Sequence, residues 1–145
     1  MRVVVQRAKK SSVKVNGEIV GQINSGLVLL VGFTDNDNEA IIDYMVKKIT
    51  HLRIFPDENG VMNKSILDYG GEILSISQFT LYGAATNGNR PSYIKAAKNN
   101  VAEPLYDKFN TKLSEFLHVE TGKFGADMEV NLINDGPTTI LLEKE

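Results

Sequence analysis

The chain has 145 residues, a formal net charge of −2 and no cysteine. This length suits one domain, residues 1–145, with a single substantial core. The absence of cysteine excludes disulfides, thiolate nucleophiles and cysteine zinc sites. The charge argues against a large surface that follows nucleic-acid phosphates, but a small footprint with a few local basic residues remains open. We expect no DNA partner. No apolar run reaches the roughly 18 residues of a membrane span, and the amino terminus does not resemble a secretory signal. We therefore expect a cytoplasmic protein without a membrane partner.

The first third of the chain predicts strands. Residues 2–8 and 11–15 alternate with period two and are rich in β-branched side chains. Asn16-Gly17 predicts a tight hairpin turn, because both residue types tolerate positive φ. The segment GLVLLVGF, residues 26–33, is a continuous apolar run of strand length. It predicts a central strand that is covered on both faces.

In two segments the apolar residues recur with the 3.6-residue spacing of an α-helix. The first covers residues 37–52, with Asp37 or Asn38 as the N-cap. The second covers about residues 101–117, where Pro104 is tolerable only in the first turn. The first helix is expected to bury Ile41, Ile42, Met45, Val46 and Ile49, and the second Leu105, Tyr106, Phe109, Leu113, Phe116 and Leu117.

Further strands are predicted around residues 53–55, 70–77, 126–134 and 138–143, the last two separated by Asp135-Gly136-Pro137. Strands outnumber helices, and most neighbouring strands lack a helical crossover between them. The sequence therefore predicts an α+β fold, a mostly antiparallel β-sheet or flattened barrel with two main helices packed outside. A parallel sheet would need more helices than we predict.

The usual catalytic constellations are absent from the sequence. His51 and His118 each stand near the end of a predicted helix, where a surface position is expected, and neither lies in a triad pattern. Histidine and acidic residues show no metal-ligand spacing. We therefore predict no metal and no cofactor.

The segment GGEILSISQFTLYG, residues 70–83, begins as a buried strand and then turns polar at Ser77, Gln78 and Thr80. In one interpretation, the serine and threonine hydroxyls satisfy local backbone groups. In the other, the strand ends at a cleft, where backbone N–H groups around Phe79 and Thr80 can stabilise an oxyanion without a titrating side chain. The spacing alone favours the first interpretation.

The segment NDGPTT, residues 134–139, is also open to two interpretations. Asp, Gly and Pro are turn residues, so it can be a simple hairpin turn. It can also hold an unusual backbone geometry, including a cis bond before Pro137, which is a minority state.

Together these segments resemble the D-aminoacyl-tRNA deacylase family, often called D-tyrosyl-tRNA deacylase, over nearly the whole chain. The matching segments are, in order, MRVVVQRA, GLVLLVG, KKITHLRIFPDENGVMNKS, GGEILSISQFTLYG, GNRPSY and TGKFGADMEVNLINDGP. The combination of Ser-Gln-Phe-Thr with Asn-Asp-Gly-Pro is highly specific in a chain of this length. The resemblance implies a homodimer that hydrolyses the ester between tRNA and a D-amino acid or glycine, including glycine mischarged on alanine tRNA.

The resemblance also implies roles for the polar segment. Ser77, Gln78, Phe79 and Thr80 would form the floor of the ester site, with the N–H groups of Phe79 and Thr80 on the carbonyl oxygen. Thr80 could instead act as a nucleophile, but no base is evident to activate it. We favour attack by water, assisted by the 2′-hydroxyl of the terminal adenosine.

Gly136-Pro137 would be the chirality filter and would reach into the partner subunit's pocket. In the family, a cis peptide there points carbonyl groups at the substrate's α-amino group. An L-residue would collide with the backbone, whereas D-residues and glycine pass. The family usually has Val or Phe after this pair, so Thr138 predicts softer packing around the loop.

The remaining candidates concern the nucleotide. Phe124 and Met128 are expected to wall an adenosine pocket, since an aromatic face can stack a base, although core packing is nearly as favoured. Arg7, Arg90 and Lys95 are candidate contacts to phosphates or to the terminal nucleotides, or else simply solvated charges. Asn89 replaces a basic residue that is common in the family, so we expect weaker electrostatic contact there.

Two other functions remain as hypotheses. The chain could be an esterase or amidase on small D-amino acid derivatives. It could also be a non-catalytic module for RNA binding or dimerisation, although the presence of both motifs argues against this.

Overall fold

The computed structural model describes all 145 residues. Its three α-helices are α1 (Glu39–His51), α2 (Ile66–Tyr69) and α3 (Asn99–Ser114), and a 3-10 helix covers Phe79–Tyr82. Its strands are β1 (Arg2–Ala8), β2 (Ser11–Val15), β3 (Glu18–Ile23), β4 (Gly26–Gly32), β5 (Phe55–Pro56), β6 (Met62–Lys64), β7 (Glu72–Ser77), β8 (Val119–Thr121), β9 (Glu129–Asn131) and β10 (Asn134–Glu143). None of the helices combines the length and the apolar character needed to cross a membrane.

The main sheet has five strands in the order β10-β1-β4-β7-β8. The pairs β10–β1 and β1–β4 are antiparallel, whereas β4–β7 and β7–β8 are parallel. The predicted α+β class is confirmed, but the sheet is mixed and no strand set closes into a barrel. Five of the seven strand pairs are antiparallel, so the mostly antiparallel prediction is confirmed, but the two parallel pairs were not predicted. Each parallel pair is joined by a long connection that contains helix, α1 and α2 for β4–β7 and α3 for β7–β8.

Two smaller sheets complete the architecture, β3-β2-β9 and the β5–β6 pair. The predicted turn between β2 and β3 is confirmed, with φ of 51° at Asn16 and 80° at Gly17. The larger core cluster combines main-sheet residues such as Leu29 with residues of α1 and α3 such as Phe109. A smaller cluster joins Val13 of the three-stranded sheet to Leu74 of the main sheet.

Helix α1 begins as the sequence predicts. The side chain of Asn38 accepts a hydrogen bond from the Ile41 N–H at 3.1 Å, so Asn38 is the N-cap. Asp37 instead is buried, where it pairs with the Met1 amino group at 2.7 Å and accepts from the Thr34 N–H at 2.8 Å. The connection from β4 to α1 is therefore fixed by side chains of both residues.

Helix α3 begins and ends earlier than predicted. It starts at Asn99, which places Pro104 in the second turn rather than the first. Tyr106, Phe109 and Leu113 are buried as expected. Phe116 was wrongly placed in the core, because the helix ends at Ser114 and the Phe116 side chain is 48% exposed.

Gly26 stands where the parallel pair β4–β7 begins, and its φ is +150°. A Cβ at this position would lie 1.9 Å from the carbonyl oxygen of Glu72. We expect Gly26→Ala to lower the free energy of unfolding by about 3 kcal/mol or more, through overpacking and backbone strain together. Urea denaturation measures this loss.

Gly17→Ala is the matched control, because Gly17 also has positive φ but nothing lies within 4 Å of the added Cβ. It should lose only about 1–2 kcal/mol, the cost of a left-handed residue. Equal losses in the two variants would contradict the role assigned to the close approach of β4 and β7.

Candidate active site

The carboxyl ends of β4 and β7 meet at one edge of the main sheet, because the two strands are parallel. A cavity of about 310 Å³ opens at this edge. The segment 124–128 and the start of α3 close its other sides. Five sequence-predicted site residues line it: Ser77, Gln78, Phe79, Phe124 and Met128.

The floor of the cavity follows directly from the end of β7. The Gln78 N–H donates to the Val31 carbonyl at 2.7 Å, which keeps the chain paired with β4 just beyond Ser77. The 3-10 helix then begins at Phe79. The N–H groups of Phe79 and Thr80 have no acceptor within that helix, as for the first residues of any helix. Two adjacent backbone donors therefore stand next to the cavity.

The hydroxyl groups of this segment do not satisfy local backbone groups. Ser75 Oγ is buried without a hydrogen-bond partner, and the Thr80 hydroxyl accepts from the side-chain amide of Gln78. Thr80 itself is exposed and lies beside the cavity lining rather than in it. The interpretation of these hydroxyls as groups that satisfy the local backbone was therefore wrong.

The wall opposite the floor depends on α3. Tyr106 is buried, and its hydroxyl donates to the Ser75 carbonyl at 2.8 Å. Burial raises the pKa of Tyr106, so the phenol stays protonated and available as a donor. Its ring packs against Phe124, with 5.9 Å between centroids. The same tyrosine thus links the strand under the floor to the aromatic wall.

Phe124 and Met128 both pack against the core and line the cavity. Each is only partly buried and packs against a core cluster, Phe124 on the larger and Met128 on the smaller. Both also line the cavity. Gly122 makes room for the thioether, since a Cβ there would lie 2.6 Å from Met128 Sδ.

Gly136 and Pro137 lie at the opposite end of the sheet, in a segment that we call the Gly136 loop, residues 134–139. The peptide bond between them is cis, and Gly136 has a φ of +120°. Asn134 spans the loop, accepting from the Thr138 N–H at 3.2 Å and donating to Thr139 Oγ1 at 2.8 Å. Gly136 and Pro137 themselves are exposed.

Arg7 contacts the Gly136 loop through Asp135. Its Nη1 donates to the Ile54 carbonyl at 2.7 Å, and its Nε lies 3.4 Å from a carboxylate oxygen of Asp135. Arg7 Nε is buried and makes no hydrogen bond, so its contact with Asp135 is an ion pair only. The Arg7 side chain is only 12% exposed, so its interpretation as a solvated charge was wrong. Arg90 and Lys95, in contrast, are exposed.

The cavity and the Gly136 loop are far apart within one chain. Arg2 of β1 pairs with Gly32 at the cavity edge, and Arg7 pairs with Leu27 at the other end. Five residues of strand span about 17 Å. A Gly136 loop that acts in such a cavity therefore has to come from another copy of the chain.

Several cavity residues were not singled out from the sequence. Val31, Gly32 and Phe33 contribute from the end of β4 and the residue after it, and Ala97, Asn99 and Ala102 from the start of α3 and the residues before it. The apolar run of β4 was recognised, but only its parallel pairing with β7 brings its end to the site. His51 and His118 are both exposed, as predicted. The structure contains no group of three or more histidine and acidic side chains arranged around a common metal position.

The family described as D-Tyr-tRNA(Tyr) deacylase matches residues 4–143 of this sequence. The chain belongs to this family. A Bacillus cytotoxicus relative named D-aminoacyl-tRNA deacylase is 59% identical over 146 residues, covering 100% of both chains. The family assignment agrees with the resemblance found in the sequence motifs.

Solved structures share the fold of this deacylase family member. One, named "c-Myc DNA Unwinding Element Binding Protein", has a TM-score of 0.95 and 40% identity, covering 100% of this chain and 99% of that one. Another, described as "a probable eukaryotic D-amino acid tRNA deacylase", has a TM-score of 0.83 and 18% identity, with 97% of each chain covered. At that identity the second likeness concerns the fold alone.

Proposed function

We propose that this chain is a D-aminoacyl-tRNA deacylase, an ester hydrolase that removes D-amino acids and glycine from tRNA, including glycine mischarged on alanine tRNA. It acts in the cytoplasm as a homodimer. The observation that carries the proposal is the cavity lined by Ser77, Gln78 and Phe79 together with the aromatic ring of Phe124. The full-length Bacillus cytotoxicus relative, named for the same activity, supports it.

In this proposal the backbone performs the main catalytic work. The N–H groups of Phe79 and Thr80 hold the ester carbonyl oxygen and stabilise the negative charge that develops on it. Water adds to the carbonyl carbon, assisted by the 2′-hydroxyl of the terminal adenosine. The bond to the ribose 3′-oxygen then breaks, and that oxygen takes up a proton, which releases free amino acid and intact tRNA. Ser77 and Gln78 shape the pocket around the reacting ester.

The Gly136 loop of a second subunit supplies the chirality filter in this proposal, with Gly136 and Pro137 facing the α-carbon. Arg7 acts as a positioning residue, because it supports the loop through Asp135 and does not reach the cavity. A face suited to a second copy exists beside β10. Val4 pairs with Leu30 and with Leu141, which is 57% exposed, so an apolar row runs across the uncovered part of the sheet.

A first experiment measures deacylation of D-tyrosyl-, L-tyrosyl- and glycyl-tRNA by the purified protein, with and without a chelator. We expect rapid loss of the D-tyrosyl and glycyl esters, sparing of the L-tyrosyl ester and no effect of the chelator. Survival of all three esters in folded, dimeric protein would refute the hydrolase. A D-tyrosine methyl ester hydrolysed as fast as the charged tRNA would favour the small-molecule esterase instead.

The same assay with added duplex DNA addresses the DNA-binding name of one structural relative. The net charge of −2 offers little to a long run of phosphates. Uncharged tRNA is expected to compete with the substrate, and duplex DNA at the same nucleotide concentration is not.

Thr80→Ala tests whether the backbone or the side chain is the catalyst. The Thr80 hydroxyl bonds to an amide of Gln78, which is not a base. We therefore expect kcat of the variant to fall by no more than about tenfold. Loss of an oxyanion donor would typically lower kcat by about 10²- to 10³-fold. Thr80→Ser is the control. Complete loss in the alanine variant with rescue by serine would identify Thr80 as a nucleophile.

Gly136→Ala tests the filter without touching the floor of the cavity. An added Cβ would lie 2.8 Å from Thr138 Oγ1 and 2.9 Å from Arg7 Nη2. We expect the displaced loop to lower the ratio of D- to L-tyrosyl-tRNA deacylation by about tenfold or more, which corresponds to roughly 1.4 kcal/mol.

Gly60→Ala is the matched control for the loop variant. Gly60 also has positive φ, at +77°, but nothing lies within 4 Å of the added Cβ. Its D/L ratio should equal that of the wild type. An unchanged ratio in Gly136→Ala as well would remove the loop from the proposed mechanism.

A further inference from the structure

Two aromatic side chains stand exposed at the mouth of the cavity. Phe79 is 56% exposed and Tyr93 is 40% exposed, and their rings meet edge to face with 5.1 Å between centroids. We call this pair the aromatic rim. Phe79 also lines the cavity, so the rim continues its wall outward. Large apolar rings left open to solvent beside a ligand cavity commonly mark a binding surface.

The position of the Tyr93 ring depends on a glycine. A Cβ at Gly83 would lie 2.9 Å from Cε1 of Tyr93, so only glycine lets the ring settle there without a shift. The chain on either side is also tied down. Ala84 and Ser92 exchange two backbone hydrogen bonds of 2.8 Å. Tyr93 is thus presented by an ordered connection, which lowers the entropy lost when something binds to it.

The charge around the rim indicates the chemistry of its ligand. Residues 73–102 contain no Asp or Glu, although the whole chain has 18 acidic residues. Within this range Arg90, Lys95 and Lys98 are all exposed. Outside it, Asp127 is the one acidic residue that lines the cavity. A locally cationic surface beside exposed aromatic rings is the combination that binds single-stranded nucleic acid, in which bases stack and phosphates are neutralised. The overall charge of −2 hides this local balance.

We propose that the aromatic rim stacks the nucleobase next to the terminal adenosine of the RNA acceptor strand. The inference rests on the proposed function and deepens it, by giving the site a second base-binding position. The terminal adenosine occupies the cavity beside Phe124 and Met128, and the strand leaves over Phe79 and Tyr93. Because every base has a π-face, stacking here does not depend on the identity of the base.

The test compares kcat/KM of Tyr93→Ala with that of the wild type on two substrates. One is D-tyrosyl-tRNA, and the other is D-tyrosyl-adenosine, which lacks the second base. On tRNA we expect kcat/KM to fall about 5- to 150-fold, the range for loss of one stacked base, mainly through KM. On the adenosine ester we expect less than about a twofold change, because the contact is not used. Tyr93→Phe keeps the ring and should behave as the wild type on both substrates.

Tyr44→Ala provides the matched control. Tyr44 is exposed to a similar degree, 42%, but lies on α1 away from the cavity. It should leave both substrates unaffected. Size-exclusion chromatography of each variant reports whether the rim instead covers a second copy of the chain.

Three outcomes would overturn the inference. Equal losses on both substrates would place Tyr93 in the pocket for the terminal residue. An altered oligomeric state in Tyr93→Ala would make the rim a subunit contact. Wild-type kcat/KM on tRNA in that variant would leave the rim without a role.

The proposed function can fail separately, as inactivity of the wild type on both substrates. Binding of a fluorescent RNA trinucleotide ending in adenosine then tests the role of the aromatic rim independently of catalysis. Weaker binding to Tyr93→Ala than to Tyr44→Ala supports the inference, and equal binding refutes it.

Discussion

The parallel pairing of β4 with β7 is the constraint on which the rest of the structure depends. It requires that the chain return across the sheet between the two strands, and the return carries α1 onto the larger core. It also brings two carboxyl ends to one edge, where neither strand alone would form a cavity. The close approach at Gly26 sets this register from the first paired residue, and the cavity lies at the other end of the same pair.

Local sequence patterns predicted the elements better than their arrangement. The turn at Asn16-Gly17, the cap at Asn38 and the buried run of β4 each depend on a few neighbouring residues, and all three are confirmed. Strand direction has no such local signature, since an apolar run reads the same in parallel and antiparallel pairs. The mixed sheet was therefore missed. The prediction that Phe116 is buried was wrong for a similar reason, because its burial depended on where α3 ends.

The candidate site shows the same division between local and distant information. Ser77 to Thr80 are consecutive, so one segment of sequence was enough to single them out. Val31 and Ala102 reach the cavity only through the packing of β4 and α3, and the sequence gives them ordinary core character. The Gly136 loop lies a full strand length away from the cavity. Its position is determined by the fold and cannot be inferred from the motif that it contains.

The separation of loop and cavity along β1 has a consequence for assembly. In a dimer with two-fold symmetry, any contact that one subunit makes on its partner is returned by the partner. If the Gly136 loop binds in the cavity of the partner subunit, each catalytic centre contains residues of both chains, and neither subunit alone contains a complete centre. A subunit with a damaged loop and a subunit with a damaged floor would then complement each other. Their mixed dimer would contain one centre with both lesions and one intact centre.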